Sequence, residues 1–247
     1  SFIDPNPVLG WDVVSYHLPG IIESYQNKTL WSLLGPYQSY SFGYELIGNY
    51  LSIVFHNTWG IFFIHQLALV LLVSVLIVAT EVLSRSSHAD NNSWIASSIL
   101  AIGLWVLMAG STIGAVGKND IFMGATILAA FIFLLQLAGN KSDSKLKINS
   151  LILLMGLALG LSISTKPSSL AFVPYFWLTT LWVLLKQKKD LKVAFGLSSI
   201  LIAVAMLIGG FWVTRNLLIF GRLSPVLDSG WQNPLALRAT RRRPQTA

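Results

Sequence analysis

The chain contains no cysteine among its 247 residues. A disulfide framework, a cysteine–zinc site, an iron–sulfur cluster and a thiol nucleophile are therefore all excluded. The absence of cysteine does not identify the compartment. The sequence also has no phosphate-binding glycine loop, no Gly-x-Ser-x-Gly elbow and no detectable internal repeat. No motif therefore supports an ATP-driven pump or a serine hydrolase.

Charged residues are scarce as well. They make up only 11% of the chain, whereas hydrophobic residues make up 54% and the mean hydropathy is +0.64. A soluble domain carries about 25% charged residues, because it must cover its surface with them. Basic residues outnumber acidic ones by 17 to 10. Most of the basic residues fall in short loops, which favours membrane topology and anionic lipid, rather than nucleic acid, as the reason for the excess.

Six long segments contain no Asp, Glu, Lys or Arg, namely 46–80, 95–117, 121–140, 148–165, 167–185 and 193–214. A helix needs about 18–20 apolar residues to cross ~30 Å of hydrocarbon. The sequence therefore predicts an all-α polytopic helical membrane protein with about six transmembrane helices. The predicted spans are 61–82, 95–116, 121–139, 148–165, 168–186 and 193–214.

Two local signals refine these spans. Lys166-Pro167 predicts a tight hairpin, because proline disfavours helix at the preceding residue and starts helices well. Tryptophans near the span ends are typical of interfacial anchors. They are Trp94, Trp177, Trp182 and Trp212.

Lysine is concentrated in two loops, with three lysines in 140–147 and four in 186–192. Two predicted crossings separate these loops, so both lie on one side, and the positive-inside rule makes that side cytoplasmic. The chain then divides into an extracytoplasmic N-terminal loop with short interfacial helices (1–60), a transmembrane core (61–214) and an extracytoplasmic C-terminal segment (215–247). Because the sequence begins with Ser and shows no signal peptide, we expect a fragment whose first transmembrane helix is missing.

The predicted outer face collects carboxylates and cations. They are Asp12, Glu45, Lys118, Asp120, Lys166 and Arg215. A carboxylate can accept the proton of an attacking hydroxyl, two carboxylates can hold a divalent ion, and lysine and arginine can hold a lipid-linked phosphate. This set of groups fits a reaction on a lipid that carries a phosphate leaving group.

Five of these six residues also have a plain structural interpretation. Asp12 and Asp120 begin helices and could be N-caps. Lys118 and Lys166 lie at span ends, where lysines snorkel toward the interface. Glu45 fits a solvated interfacial residue. The sequence leaves both kinds of interpretation open.

Four short motifs follow one another along the chain. They are Trp-Asp-Val-Val-Ser-Tyr-His-Leu-Pro at 11–19, Gly-Lys-Asn-Asp at 117–120, Thr-Lys-Pro at 165–167, and Thr-Arg-Asn at 214–216 followed by Phe220-Gly221 and Pro225. In this order they resemble bacterial GT-C glycosyltransferases, the polyprenyl-phosphate-sugar-dependent enzymes related to protein mannosyltransferases. The similarity runs from about residue 9 to 226. The Tyr-His-Leu-Pro element is fairly specific, whereas the short turns are weak alone.

Two positions depart from the family pattern. Tyr-Ser-Phe-Gly-Tyr at 40–44 stands before Glu45, where family members often have Tyr-Pro-Pro before a glutamate. Arg-Leu-Ser at 222–224 replaces the usual Asn-Pro after the glycine. The resemblance therefore defines the role of Glu45 less closely than it defines the roles of the other residues.

The resemblance implies an integral-membrane glycosyltransferase in the bacterial inner membrane, with its active site facing outward. It would move a sugar from a polyprenyl-phosphate donor to an acceptor glycan, lipid or protein, with inversion at the anomeric carbon. Asp12 and Asp120 would be the catalytic carboxylates and the candidate ligands for Mg²⁺ or Mn²⁺. The implied substrate contacts are Tyr16, His17, Glu45, Lys118, Lys166 and Arg215. For His17 the alternative is a polar side chain that shapes the loop.

A non-enzymatic polytopic protein, such as a flippase or transporter of lipid-linked sugars, is the alternative function. A transporter is expected to place ionisable residues near the middle of its spans. The predicted spans contain no Asp, Glu, Lys or Arg at their centres. This favours chemistry at the membrane surface over transport.

Overall fold

The structure is a computed structural model that describes residues 17–27, 41–55, 60–86, 119–139 and 144–221. The described residues form seven α-helices and one short 3-10 helix, with no strand among them. In chain order the helices are α1 (Leu18–Asn27), α2 (Gly43–Val54), α3 (Gly60–Ser86), α4 (Asp120–Ala138), α5 (Lys145–Thr165), the 3-10 helix (Pro167–Ala171), α6 (Phe172–Lys186) and α7 (Leu191–Phe220).

Five helical segments are long and apolar enough to cross a membrane. They are Phe63–Val82, Asp120–Ala138, Lys145–Thr165, Pro167–Lys186 and Leu191–Ile219. The predicted all-α polytopic fold is thereby confirmed, and each segment corresponds to one predicted span. The remaining predicted span, 95–116, lies outside the described residues. The fold is that expected of an integral membrane protein.

The hairpin predicted at Lys166-Pro167 is present. Helix α5 ends at Thr165, and Lys166 has an extended backbone with φ −140° and ψ 125°. Pro167 is the first residue of the 3-10 helix, which leads directly into α6. The restriction that proline places on the preceding residue thus ends one span and begins the next.

Helix α7 is longer than its predicted span. It continues past 214 to Phe220, because the residues after Asn216 are again apolar, and it stops at Gly221. Gly221 has a φ of 65°, a left-handed conformation that glycine adopts without a steric penalty. Arg215 therefore lies inside the helix, about one and a half turns before its end.

Helices α5 and α7 run in the same direction and approach each other through glycines. A Cβ atom on Gly160 would lie 2.7 Å from the Cβ of Ile208 and 2.9 Å from the carbonyl oxygen of Ala205. A Cβ atom on Gly209 would lie 2.6 Å from the carbonyl oxygen of Gly160. Small residues let helix backbones approach closely in membranes, and here they set the distance between α5 and α7.

The remaining helices surround this pair. The main core lies among α4, α5, α6 and α7 and includes Ile152, Leu159, Phe176 and Leu184. A second cluster joins α2 to the first turns of α3 and α4. Its fully or nearly buried members are Tyr44, Ile64, Ala68 and Phe122.

This packing gives the bundle two distinct ends. We call one the site end, where α3 and α4 begin and α5 and α7 finish. We call the other the lysine end, where α5 and α7 begin and α6 finishes. Helices α1 and α2 belong to the site end, because α2 contacts the first turns of α3 and α4 and α1 contacts α2.

Candidate functional site

The beginning of α2 is fixed against the last turns of α5 and α7. Phe42 makes an edge-to-face contact with Trp212 of α7, with ring centroids 5.8 Å apart. A side chain at Gly43 would collide with Ser164 near the end of α5. Glycine is required here because the backbone of α2 touches α5. The start of α2 therefore has a defined position over the site end.

Tyr44 lies at the centre of this contact. Its side chain is fully buried, and its ring centroid lies 5.7 Å from that of Phe122 on α4. Burial, and secondarily the neighbouring Glu45 carboxylate, raise the pKa of the Tyr44 phenol above its usual range. Among the described residues its hydroxyl has no hydrogen-bond partner. Tyr44 therefore stays protonated and is a potential hydrogen-bond donor inside the site end.

Glu45 and His17 form a buried pair that joins α2 to the start of α1. The Nδ1 atom of His17 meets a carboxylate oxygen of Glu45, and the two side chains are 2% and 1% exposed. The interpretation of Glu45 as a solvated interfacial residue is therefore wrong, because the carboxylate is buried against His17. The alternative for His17, a polar side chain with a structural task, agrees with this position.

Asp120 and Lys166 form a second pair, which joins the first turn of α4 to the hairpin after α5. The Nζ atom of Lys166 meets Oδ1 of Asp120, and the side chains are 32% and 59% exposed. The N-cap of α4 is Asn119, whose side chain makes no capping hydrogen bond. The interpretation of Asp120 as an N-cap is therefore wrong, because it is the first residue inside the helix. Lys166, in turn, is directed to a carboxylate on another helix.

Arg215 is fully buried within α7. Its guanidinium carbon lies 5.6 Å from the ring centroid of Trp212, within the range of a cation–π interaction. Its Nη1 atom donates a hydrogen bond to Oδ1 of Asn216 over 3.2 Å. Trp212 is itself only 2% exposed, so its interpretation as an interfacial anchor is wrong. The ring instead connects Phe42 on one side with the guanidinium on the other.

The site end thus contains five of the eight residues predicted for the site. They are His17, Glu45, Asp120, Lys166 and Arg215. The other three lie outside the described residues, namely Asp12, Tyr16 and Lys118. In the described part of the chain, no group of three His, Cys, Asp or Glu residues could hold a metal ion. The pair of metal ligands predicted at Asp12 and Asp120 stays a prediction, because only one of the two is described.

Three residues at the site end were not among the predicted site residues. They are Tyr44, Trp212 and Asn216. Two sequence signals could have found Trp212 and Asn216. Trp212 lies three residues before Arg215, on the same helix face, and Asn216 follows the arginine directly. For Tyr44, adjacency to Glu45 is the only available signal.

Comparison with protein-family models, with curated proteins and with solved structures finds no match to this chain. The class of this protein therefore rests on its fold and on the residues at the site end. It is an all-α polytopic helical protein with five helices able to cross a membrane. At one end of the described bundle lie two carboxylates, a histidine and two cations, three of them on different helices and two, His17 and Lys166, directly beside a helix end.

The pair of Asp120 and Lys166 is expected to contribute little to stability. Both side chains are partly exposed, and exposed ion pairs contribute about 0–1 kcal/mol. Asp120→Asn and Lys166→Gln should each lower the free energy of unfolding by less than about 1 kcal/mol. A double-mutant cycle on thermal or denaturant unfolding in detergent measures the coupling. A coupling energy above about 2 kcal/mol would show that the pair is a structural clamp.

Proposed function

We propose that the chain is part of an integral-membrane glycosyltransferase of the GT-C type. It moves a sugar from a polyprenyl-phosphate donor to a glycan, lipid or protein acceptor at the extracytoplasmic face of the bacterial inner membrane. The observation that carries the proposal is the convergence of Asp120, Lys166 and Arg215 at one end of the spans. These three residues belong to three of the four motifs that resemble the family.

Lys166 and Arg215 could hold a lipid-linked phosphate in two different ways. Lys166 is partly exposed at the hairpin, so its ammonium can reach a phosphate at the level of the lipid headgroups. Arg215 is buried against Trp212 and donates to Asn216, and an arginine guanidinium can donate two parallel hydrogen bonds to phosphate oxygens. Lys118, predicted as a third cation, precedes the described start of α4. Together they would stabilise the negative charge on the leaving phosphate.

The proposed reaction is a single displacement. A hydroxyl oxygen of the acceptor attacks the anomeric carbon, while the bond from that carbon to the phosphate oxygen breaks. The bonding electron pair leaves with the polyprenyl phosphate, and the hydroxyl proton passes to the carboxylate of Asp12. The configuration at the anomeric carbon is inverted. Mg²⁺ or Mn²⁺ at Asp12 and Asp120 belongs to the proposal only as a candidate cofactor, and no step depends on it.

The ionisable residues of the described spans favour this function over transport. Arg215 and His65 lie within about one and a half turns of the site end, and Asp120 is the first residue of α4. The centres of the described spans contain no Asp, Glu, Lys or Arg. A flippase or transporter is expected to carry such residues at mid-membrane depth. Transport without transfer remains an outcome that the assay below can reveal.

The direct test is transfer of labelled sugar from polyprenyl-phosphate donors, using protein expressed from the full reading frame. Lys166→Ala is expected to lower donor affinity roughly tenfold to a hundredfold, since a charged hydrogen bond to phosphate contributes about 1.5–3 kcal/mol. Lys147→Ala is the matched control, because it removes an exposed lysine at the lysine end. Movement of the labelled lipid across the membrane without sugar transfer would reject the proposal. Equal donor affinity in the Lys166 and Lys147 variants would remove Lys166 from the site.

A further inference from the structure

One face of α6 carries a stripe of exposed apolar side chains that ends in a lysine. The stripe consists of Tyr175, Leu178, Trp182 and Leu185, followed by Lys186. These residues recur every three or four positions, so they lie on one side of the helix. We call this face the α6 stripe. Trp182 is its most exposed member, with 60% of the side chain accessible.

The length of the α6 stripe matches one leaflet of a bilayer. Eleven residue steps separate Tyr175 from Lys186, which correspond to about 16 Å along a helix. One leaflet contributes about half of the ~30 Å hydrocarbon thickness. The Nζ atom of Lys186 lies 5.8 Å from the ring centroid of Trp182. A tryptophan and a lysine at this point are typical of the boundary between hydrocarbon and headgroups.

The turn that follows α6 contains a second lysine in an unusual conformation. Lys188 has a φ of 59°, the left-handed region that normally favours glycine. The amide of Lys188 donates to the carbonyl of Leu185 over 3.0 Å, and the amide of Lys189 donates to that of Leu184 over 3.1 Å. These two hydrogen bonds define a Schellman motif, in which glycine is the preferred residue at the position of Lys188. The fold would therefore be more stable with glycine there.

We propose that the α6 stripe binds an anionic phospholipid, with phosphatidylglycerol as its simplest example. One acyl chain lies along Tyr175, Leu178 and Trp182, and the headgroup phosphate is held by Lys186 and Lys188. Charge complementarity at this helix end selects an anionic headgroup, and the apolar length of the stripe selects a lipid over a soluble anion. This site lies at the lysine end and is separate from the proposed donor site.

The test is lipid retention in nanodiscs of equal parts phosphatidylglycerol and phosphatidylcholine, read by native mass spectrometry. The wild-type chain should retain phosphatidylglycerol in preference to phosphatidylcholine. Lys186→Gln should weaken this retention about fivefold, as expected for one lysine near a charged headgroup. Lys186→Arg should keep it, because arginine preserves the charge and also stacks on tryptophan. The matched control is Lys147→Gln, an exposed lysine on α5 at the same end, which should behave as wild type.

The Lys188→Gly variant distinguishes an effect on lipid binding from an effect on protein stability. It should raise the Tm, because glycine fits the left-handed position, and at the same time weaken phosphatidylglycerol retention. A higher Tm with unchanged retention would contradict the role of Lys188. Equal retention of the two lipids by the wild-type chain, or identical behaviour of Lys186→Gln and Lys147→Gln, would overturn the site.

Two further measurements address other occupants of the α6 stripe. Inorganic phosphate should not displace the lipid, and displacement at millimolar phosphate would show a site for a free anion instead. Since the chain has no cysteine, Leu178→Cys introduces a single thiol on the stripe. Rapid disulfide dimerisation of this variant in lipid would show that a second copy covers the stripe, and would overturn the lipid proposal.

Discussion

Replacing Gly160 by leucine is expected to prevent the bundle from folding. The position of the new Cβ atom would be 2.7 Å from the Cβ of Ile208 and 2.9 Å from the carbonyl oxygen of Ala205. The carbonyl belongs to the backbone of α7, so no side-chain rotation relieves the contact. The whole of α7 would have to move away from α5, which would open the most extensive helix contact among the described residues.

A smaller substituent at Gly160 should destabilise the fold less than leucine does. Gly160→Ala is expected to lower the free energy of unfolding by about 1–3 kcal/mol, as is typical of overpacking. The matched control is Gly196→Ala in α7, where a Cβ atom would meet nothing within 4 Å. Fluorescence-detected size exclusion measures folding in detergent, and thermal unfolding gives the Tm. A monodisperse Gly160→Leu protein with the Tm of the wild-type chain would show that α5 and α7 do not meet as described.

The spans could be predicted from the sequence because the bilayer leaves the backbone few choices. Within hydrocarbon every amide must find an internal partner, so a long charge-free segment becomes a helix. The end of α7 was less predictable. The sequence predicts that the span ends at 214, before Arg215, but the arginine is buried against Trp212, and the apolar residues after Asn216 continue the helix. A charged residue marks a span end only where water or headgroups solvate it.

The pairing of helices was not predicted, for a physical reason. Helices that are apolar on all sides carry no polar face to indicate which side is buried. In α5 the buried side is indicated instead by Gly156 and Gly160, which are four positions apart and lie against α7. This small-residue motif is visible in the sequence and is a signal for close helix approach. Which helix would be the partner still depended on the tertiary fold.

The candidate site, too, could be predicted only in part from the sequence. Sequence motifs selected Asp120 and Lys166 separately, but 46 positions separate them, and their contact depends on the register of α4 against α5. The contact between His17 and Glu45 is likewise not predicted, because the resemblance implies that both residues contact substrate, whereas their side chains contact each other. Motifs identified residue types at the site end, and packing determined which of them touch.

These contacts suggest different tasks for the two carboxylates of the proposed reaction. Asp120 already accepts a hydrogen bond from Lys166, so its carboxylate is engaged in holding that lysine. We therefore assign Asp120 to the positioning of Lys166, and through it to the donor phosphate. Asp12, which lies outside the described residues, is left as the general base. The two substitutions should then affect different kinetic parameters.

Asp12→Asn is expected to reduce kcat by about 10²–10⁴-fold, the usual contribution of a general base, while donor KM changes little. Asp120→Asn should instead raise donor KM, with a smaller effect on kcat, because Lys166 loses the group that orients it. Glu81→Gln, near the far end of α3, is a control that should leave both parameters unchanged. Steady-state transfer kinetics on the full-length protein measure all three variants. If Asp12→Asn turns over at the wild-type rate, Asp12 is not the base, since asparagine can replace aspartate as an N-cap but cannot accept the proton.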